Sequence, residues 1–348
     1  MKSFIFCFTL LFFATVLVAQ QTEDSSKAKK NKYVPTISGL IQVHYLNEFN
    51  TNGDSIRDPD GFRILRARFA TKGNISKKVT YDLMIDPRAP EQGGILRDAY
   101  IGLHYVRNQE IRIGQQKTQF GWENRESVSH LYTVNRAELS DGAARGYNLR
   151  DIGVGIIGNI NLNGPWRLEN ALTITNGTRM NVTGPYDFNN KMAVWGRLGV
   201  RYKTDVLTLR LGGSFGFGGI RDLGDTLTTP SDDFYYNFNR VGFDLQADHS
   251  LFFVATEFAM GTDKIADTIT EEPIGYQAIL ALKSKWHVGP LVRYDVFEDE
   301  WEVCTVGAYY GEPKDRLRVL INYLFRGNIT DIPGGHDDRF YMQMQLTF

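Results

Sequence analysis

The sequence predicts an all-β protein, a transmembrane antiparallel β-barrel of about 16 strands. Three observations indicate this fold. Polar and apolar residues alternate within many short segments, short and long connections alternate between these segments, and the last segment keeps its alternation to the final residue. A period of two is typical of strands with one apolar and one polar face. A barrel in a membrane needs such strands, because one face meets lipid and the other meets water.

The last ten residues, RFYMQMQLTF, show the alternation most clearly. Their apolar positions are Phe340, Met342, Met344, Leu346 and Phe348, and each intervening residue carries a polar group. Chain termini are usually polar and frayed, so an aromatic residue at the last position indicates a strand that is held in place. The ending also resembles the C-terminal signal of bacterial outer-membrane barrels, which implies that barrel-assembly machinery binds this strand. The last strand of a soluble sheet is the alternative.

Sixteen segments have strand-like patterns and carry the rest of the prediction. They lie at 36–47, 62–72, 78–86, 96–105, 109–118, 150–160, 165–175, 191–202, 205–215, 238–248, 252–259, 275–283, 287–297, 301–311, 316–325 and 338–348. Short turns and longer gaps alternate between them, with 298–300 as a weak exception. Short turns at one rim and long loops at the other are typical of an outer-membrane barrel. A soluble sandwich has no need to sort its loops in this way.

The N-terminal residues 1–20 have the pattern of a secretory signal peptide. Lys2 precedes an apolar run from Phe4 to Val18, and cleavage is expected near Ala19 or Gln20. Residues 21–35 then form a polar lead-in, and residues 36–348 form the barrel domain. A membrane anchor is the alternative, but the apolar run is shorter than the roughly 20 residues that a spanning helix needs.

Composition and motifs argue against an enzyme and against nucleic-acid binding. The formal net charge is only −1, so bulk electrostatics do not favour a nucleic-acid partner. The six histidines show no spacing typical of metal ligands, and no Gly-x-Ser-x-Gly nucleophile motif occurs. The sequence therefore implies no cofactor and no metal. An outer-membrane hydrolase barrel and a secreted β-sandwich binding protein remain as alternatives of a different class.

Five segments resemble a known family. They are RILRARFATKGNI at 63–75, VTYDLMID at 79–86, LRDAYIGLHY at 96–105, IRIGQQKTQFGWE at 111–123 and LRDIGVGIIGNI at 149–160. The family is that of the phosphate-selective porins O and P. The resemblance implies a 16-stranded, trimeric porin of the bacterial outer membrane that passes small anions such as phosphate. Gln119 departs from the family, which usually has proline there, and the strands hold few lysines. A general, weakly selective porin therefore remains open.

The third long gap, 119–149, is the longest connection in the chain. Compact domains seldom carry such long loops unless the loop has a function. The resemblance implies that this loop folds into the lumen and narrows it. Gly212, Gly216 and Gly218 share the polar face of one predicted strand and its extension. They would either make room for the loop or curve the strand.

Arginines on the polar faces are the candidate pore lining. Strand alternation puts Arg66 and Arg68 inside, opposite Leu65, Ala67 and Phe69, which would face lipid. The same argument adds Arg112, Arg197, Arg201, Arg210 and Arg293, the third long gap adds Arg125, Arg136 and Arg145, and Lys117 lies at the start of that gap. Pores select anions with such residues, and the guanidinium group binds phosphate through two hydrogen bonds. The sequence thus predicts an anion path along these side chains.

Acidic residues on the same faces give the opposing interpretation. Strand alternation also places carboxylates inside, namely Asp82, Asp86, Asp98, Asp244, Asp248, Glu257 and Asp295. If the arginines pair with these carboxylates, they stiffen the wall and the channel is only weakly selective.

Overall fold

A computed structural model describes residues 33–49, 60–88, 95–142, 150–177, 191–223, 233–265, 269–298, 301–327 and 338–348. The strands in these ranges are β1 (Thr36–Phe49), β2 (Asp60–Asn74), β3 (Val79–Ile85), β4 (Leu96–Leu103), β5 (Gln109–Lys117), β6 (Arg150–Asn161), β7 (Trp166–Thr175), β8 (Ala193–Lys203), β9 (Leu207–Leu223), β10 (Asp233–His249), β11 (Phe252–Ile265), β12 (Ile269–Glu271), β13 (Ile274–Leu282), β14 (Val288–Phe297), β15 (Trp301–Tyr310), β16 (Leu317–Gly327) and β17 (Asp338–Thr347). A 3-10 helix, Val128–His130, and a short helix α1, Glu138–Gly142, lie between β5 and β6. The helices in the described ranges are too short or too polar to cross a membrane. The expected signal peptide lies outside these ranges, as does the polar lead-in up to residue 32, and both remain predictions.

The strands form one closed antiparallel barrel. Neighbours in sequence pair with each other, and β1 pairs with both β2 and β17. The short strand β12 and strand β13 both pair with β11 and are separated around Pro273, so together they occupy one position in the wall. The barrel wall is therefore 16 strands wide, which confirms the predicted fold class.

The two faces of the wall differ as the alternation predicts. In β17, Met342, Met344 and Leu346 are exposed, whereas Gln343 and Gln345 are completely buried. In a closed barrel the buried polar face is the inner one and the exposed apolar face is the outer one. The outer face thus supplies the apolar band that lipid requires.

The last residue lies at the seam where the barrel closes. The Gly39 amide donates a hydrogen bond to the Phe348 carbonyl over 2.8 Å. A Cβ at Gly39 would lie 2.2 Å from the Phe348 ring, so a glycine is required beneath that ring. Inside the same seam, Gln42 donates to Gln345 over 2.7 Å. The terminal aromatic residue therefore helps to close the barrel.

Three strands extend further than the sequence predicts. Strands β9 and β10 each have 17 residues and β11 has 14, so parts of the expected gaps 216–237 and 260–274 are strand. Backbone pairing continues to Leu223 opposite Asp233 and to Ile265 opposite Tyr236. The glycines of β9 hide the apolar alternation there, so the sequence pattern does not reveal the extension.

A β-bulge corrects one predicted orientation. Arg66 pairs with Gln42 while Ile64 pairs with Val43, which leaves Leu65 without a partner. Side chains alternate between the two faces with a period of two. One extra residue therefore puts the side chains before the bulge on the face opposite to the one that strict alternation predicts. Ile64 is accordingly exposed, and Leu65 packs against the buried cluster. The prediction that Leu65 faces lipid is therefore wrong, whereas Phe69 is exposed on the outer face.

Candidate functional site

The segment between β5 and β6 lies against the inner face of distant strands. We call residues 118–140 the inner segment. The amides of Trp122 and Glu123 donate to the Glu257 carboxylate of β11 over 3.1 and 3.0 Å. The amide of Val134 donates to Asn322 of β16 over 2.8 Å. Both acceptors are buried side chains of the wall. Their hydrogen bonds therefore hold the inner segment against the inner face of the wall.

Three predicted site residues bind the inner segment itself. The Lys117 ammonium donates to the carbonyls of residues 124, 125 and 126 over 2.9, 3.2 and 2.6 Å. Arg136 donates to the carbonyl of residue 126 over 2.8 Å, and Arg125 donates to the Gln119 side chain over 2.9 Å. In this structure these three cations hold the fold of the inner segment.

Two further arginines connect strands to the inner segment. Arg293 of β14 donates to Asp295 and to the Thr133 hydroxyl, each over 2.9 Å. Arg318 of β16, which sequence reasoning missed, donates to the Ser129 carbonyl over 2.6 Å. No sequence pattern marks Arg318 as different from the other inward arginines, because its acceptor belongs to a loop.

Two buried carboxylates, Glu123 of the inner segment and Glu257 of β11, lie where the inner segment meets the wall. Glu123 accepts hydrogen bonds from the Ala137 amide over 2.9 Å and from Gln277 over 3.2 Å. Glu257 accepts the two amides described above, and both carboxylates are at most 3% exposed. Gly121 has a φ of 65°, and a Cβ there would lie 1.9 Å from a Glu257 oxygen. Only glycine permits this approach.

Aromatic packing completes the contact with the wall. Phe120 packs edge-on against Trp195, with ring centroids 5.7 Å apart. A Cβ at Gly242 of β10 would lie 2.9 Å from the Phe120 ring. Gly242 thus makes room for the inner segment. The predicted glycines Gly212 and Gly216 instead make room for the side chains of Arg197 and Trp195.

We expect Gly242→Val to push Phe120 toward the lumen and to lower single-channel conductance. Overpacking of this kind costs about 1–3 kcal/mol, which the inner segment can relieve only by moving. The matched control is Gly213→Val, because a Cβ at Gly213 meets no atom closer than 3.7 Å. Planar-bilayer recordings of both variants give the test. Equal conductance for wild type and Gly242→Val would contradict this packing argument.

Four arginines come together on the inner wall formed by β2, β4 and β6. We call Arg66, Arg68, Arg97 and Arg150 the arginine cluster. Arg68, Arg97 and Arg150 are buried on this wall, and Arg66 lies two residues from Arg68 on the same face of β2. Two carboxylates lie among them. Arg68 contacts Asp86 over 3.1 Å, and Arg150 binds Asp98 through two hydrogen bonds of 2.9 and 3.0 Å. Arg66 donates to neutral Gln42 over 2.8 Å.

Arg97 and Arg150 are functional candidates that sequence reasoning missed. A second bulge pairs Asp98 with Met84 and Leu96 with Ile85, so Arg97 is the extra residue. Both Arg97 and Asp98 are buried, which strict alternation forbids. One signal was available, since the tripeptide Leu-Arg-Asp opens two strands, at 96–98 and at 149–151.

Three predicted arginines lie on the neighbouring strands β8 and β9. Arg197 binds Asp244 through hydrogen bonds of 2.8 and 2.6 Å. Arg201 and Arg210 share Glu169 at 3.4 and 3.6 Å. Arg201 and Arg210 also line a cavity of about 240 Å³ beside the inner segment. His130 and Lys314 line the same cavity. There the hydrogen bond to His130 lowers the pKa of Glu126 to about 2, although burial opposes this shift.

Arg112 and Arg145 complete the set of predicted pore-lining residues. Arg112 contacts Glu110 over 2.7 Å and lies 4.7 Å from the centre of the Tyr100 ring. Arg145 lies outside the described residues. Several predicted arginines thus have a carboxylate partner, as the opposing interpretation expects, while the arginine cluster holds more arginines than carboxylates.

Comparison with known proteins identifies relatives of this barrel. Residues 39–189 match the family model of phosphate-selective porin O and P, which confirms the resemblance over that range. None of the curated proteins matches the chain significantly. The outer-membrane protein OmpT of Vibrio cholerae, in its trimer form, aligns with a TM-score of 0.59 and 10% identity over 91% of this chain and 100% of its own. OmpF of Salmonella typhi, in complex with daunomycin, aligns with a TM-score of 0.57 and 14% identity over 92% and 99%. At these identities the likeness to OmpT and OmpF shows the fold.

Proposed function

We propose that this chain is a porin of the bacterial outer membrane and that its lumen favours anions. Residues 39–189 match the family model of phosphate-selective porin O and P, and the barrel has the fold of OmpT and OmpF. Small hydrophilic solutes diffuse passively through a water-filled channel, and no reaction is catalysed. The arginine cluster carries the proposal, because four guanidinium groups lie on one wall of the lumen. Arginines that line a pore lower the energy of a passing anion.

The inner segment is proposed to form the constriction, as the inward-folded third long loop. Support comes from its hydrogen bonds to β11 and β16 and from Arg293 of β14. A segment that starts at the end of β5 and is held by β11, β14 and β16 would narrow the lumen. Of the predicted pore-lining residues, Lys117, Arg125 and Arg136 then act by shaping this constriction. Arg66, Arg68, Arg112, Arg197, Arg201, Arg210 and Arg293 act along the wall, and Arg145 extends the loop's basic character.

Phosphate is the proposed preferred anion. The family description supports this choice, and so does the arginine side chain, whose two parallel N–H groups match a phosphate oxygen pair. Arg201 and Arg210 border an open cavity where such an anion would fit. We therefore expect phosphate to dwell in the pore longer than chloride does.

Added phosphate is expected to reduce the chloride current in a planar bilayer. The experiment adds phosphate at constant ionic strength and pH and records single-channel chloride current. A phosphate ion that occupies the arginines excludes chloride, so the current should fall in a saturating manner. Sulfate added in the same way gives a comparison for divalent charge alone. A chloride current that does not change when phosphate is added would mean that the pore passes anions without a preference for phosphate.

A general, weakly selective porin is the second candidate function. The buried pairs Arg68–Asp86, Arg197–Asp244 and Arg293–Asp295 favour it, because each pair is electrically neutral. In that case the lumen conducts well and distinguishes chloride from potassium only slightly. The reversal potential across a salt gradient separates the two candidates, because only an anion-selective pore gives a potential far from zero.

A homotrimer in the outer membrane is the proposed assembly. OmpT, which shares the fold, is described in a trimer form. The outer face meets lipid, and the C-terminal strand that ends in Phe348 is proposed to bind the barrel-assembly machinery. Cleavage of residues 1–20 would precede assembly. Cross-linking of the purified protein in detergent tests the trimer, and sequencing of its N-terminus tests the cleavage.

A further inference from the structure

The short turns at one end of the barrel carry a strong positive charge. They span residues 75–78, 104–108, 162–165, 204–206, 250–251, 283–287 and 311–316, and together with Lys203, the last residue of β8, we call them the short-turn rim. Lysine or arginine occurs eight times in the rim, at Lys77, Lys78, Arg107, Lys203, Lys283, Lys285, Lys314 and Arg316. Aspartate or glutamate occurs three times, at Asp205, Glu312 and Asp315.

Most of these cations lack a carboxylate partner within the barrel. Lys283 contacts Asp248, and Asp315 contacts His287. Within the described ranges, no ion pair includes any of the other seven rim cations. Glu312 is turned to other partners, since it accepts hydrogen bonds from the hydroxyls of Tyr132 and Tyr309. The positive charge of the rim therefore faces outward, toward its surroundings.

The connections that alternate with the short turns along the chain have the reverse charge in their sequence. The parts of them outside the described residues are 50–59, 89–94, 143–149, 178–190, 224–232, 266–268, 299–300 and 328–337. Together they contain eleven aspartates and glutamates but three lysines and arginines. In the sequence, positive charge is thus concentrated in the short turns and negative charge in the longer connections.

Aromatic side chains form a belt beside the basic rim. Tyr105, Trp166, Trp286 and Tyr310 are 63%, 46%, 71% and 49% exposed. The Lys78 ammonium lies 5.0 Å from the centre of the Tyr105 ring, and the Lys285 ammonium lies 5.0 Å from that of Trp286. Exposed tyrosine and tryptophan concentrate where a membrane meets water. The paired lysines are therefore at headgroup level.

Exposed apolar residues in the turns favour contact with a membrane surface over contact with water alone. Ile75, Val206 and Leu251 are 67%, 58% and 64% exposed at the tips of three turns. An acidic protein partner would not require apolar tips that are spread around a rim. A lipid interface accommodates apolar tips, aromatic rings and lysines together, because lysine keeps its stem in the apolar layer and its ammonium among the headgroups.

We propose that the short-turn rim binds anionic diacyl phospholipids of the adjoining leaflet through their phosphate headgroups. In outer-membrane barrels the short turns face the periplasm, so the leaflet concerned is the periplasmic one. Each lysine or arginine near such a surface strengthens binding roughly fivefold. The interaction is independent of which anion the pore favours.

The test measures lipid preference by fluorescence quenching. The purified full chain is reconstituted in phosphatidylcholine bilayers that contain brominated phosphatidylglycerol or, in parallel, brominated phosphatidylcholine. The chain carries W301F, so that Trp166 and Trp286 report contact with brominated lipid, because Trp122 and Trp195 are buried inside the barrel. The expected result is quenching that is several-fold stronger with the anionic lipid at equal mole fraction, and weaker at high salt.

Two matched variants locate the interaction. K78Q/R107Q/K285Q removes three rim cations, and R88Q/K191Q/K264Q removes three cations at the opposite end. The rim variant is expected to lose most of the preference for anionic lipid, and the control variant should keep it. Unchanged channel conductance shows that both variants are folded. No preference in wild type, equal loss in both variants, or loss in neither would overturn the proposal.

Discussion

Changing Arg66 and Arg68 together to serine is expected to lower the anion-to-cation permeability ratio several-fold. The change removes half of the arginine cluster and leaves Asp86 without its 3.1 Å partner. A unit charge about 7 Å from a passing ion contributes about 0.6 kcal/mol even at the dielectric constant of water, which is nearly threefold in partition. Reversal potentials across a salt gradient measure the ratio directly. The barrel should stay folded, because backbone pairing of β2 does not depend on these side chains.

A charge-neutral double change gives the matched control for this experiment. Arg68→Ser with Asp86→Ser removes one cation and one carboxylate, so the wall keeps its excess charge. We expect selectivity close to that of wild type, because neutral pairs attract neither ion. If Arg66→Ser with Arg68→Ser leaves the permeability ratio unchanged, these two residues do not set selectivity.

Replacing Glu257 with alanine is expected to release the inner segment. The amides of Trp122 and Glu123 would then lose their acceptor, and each buried unsatisfied amide costs about 1–3 kcal/mol. Hydrogen bonds from Arg293 and to Asn322 remain, so the segment should loosen rather than leave the barrel. We predict a larger mean conductance with frequent transitions between levels. Limited proteolysis should also begin to cut within residues 118–140.

Two further variants separate the role of the acceptor from that of charge. Glu257→Gln keeps one acceptor oxygen but no charge, and an intermediate conductance is expected. Glu302→Ala removes a carboxylate of β15 that accepts a hydrogen bond from the Tyr294 hydroxyl and forms no hydrogen bond with the inner segment in the described residues. Conductance should therefore not change. A steady, wild-type conductance in Glu257→Ala would mean that Glu257 does not hold the segment.

Much of the wall was predictable because its pattern is local. Alternation with a period of two located the strands and their outer faces, as in β17, where Met342 and Met344 are exposed. Bulges are the exception, since one extra residue reverses the facing of its neighbours. For that reason Leu65 was assigned to the wrong face and Arg97 was not recognised as an inward residue.

The contacts of the inner segment were not predictable from pattern. Lys117 and Arg136 were expected along the pore on the basis of charge, whereas the structure has them on backbone carbonyls of the inner segment. Their acceptors depend on how a long connection folds, and no periodicity encodes that. The pairing of Arg197 with Asp244 likewise requires the register of β8, β9 and β10, which the sequence leaves open.

The reversal potential of the wild-type channel across a potassium chloride gradient tests the central claim most directly. The arginine cluster beside the path predicts that chloride crosses faster than potassium, so the dilute side becomes negative. A potential near zero, or a positive dilute side, would contradict the claim. The arginines would then be balanced by the carboxylates of the wall, and the protein would be a general porin.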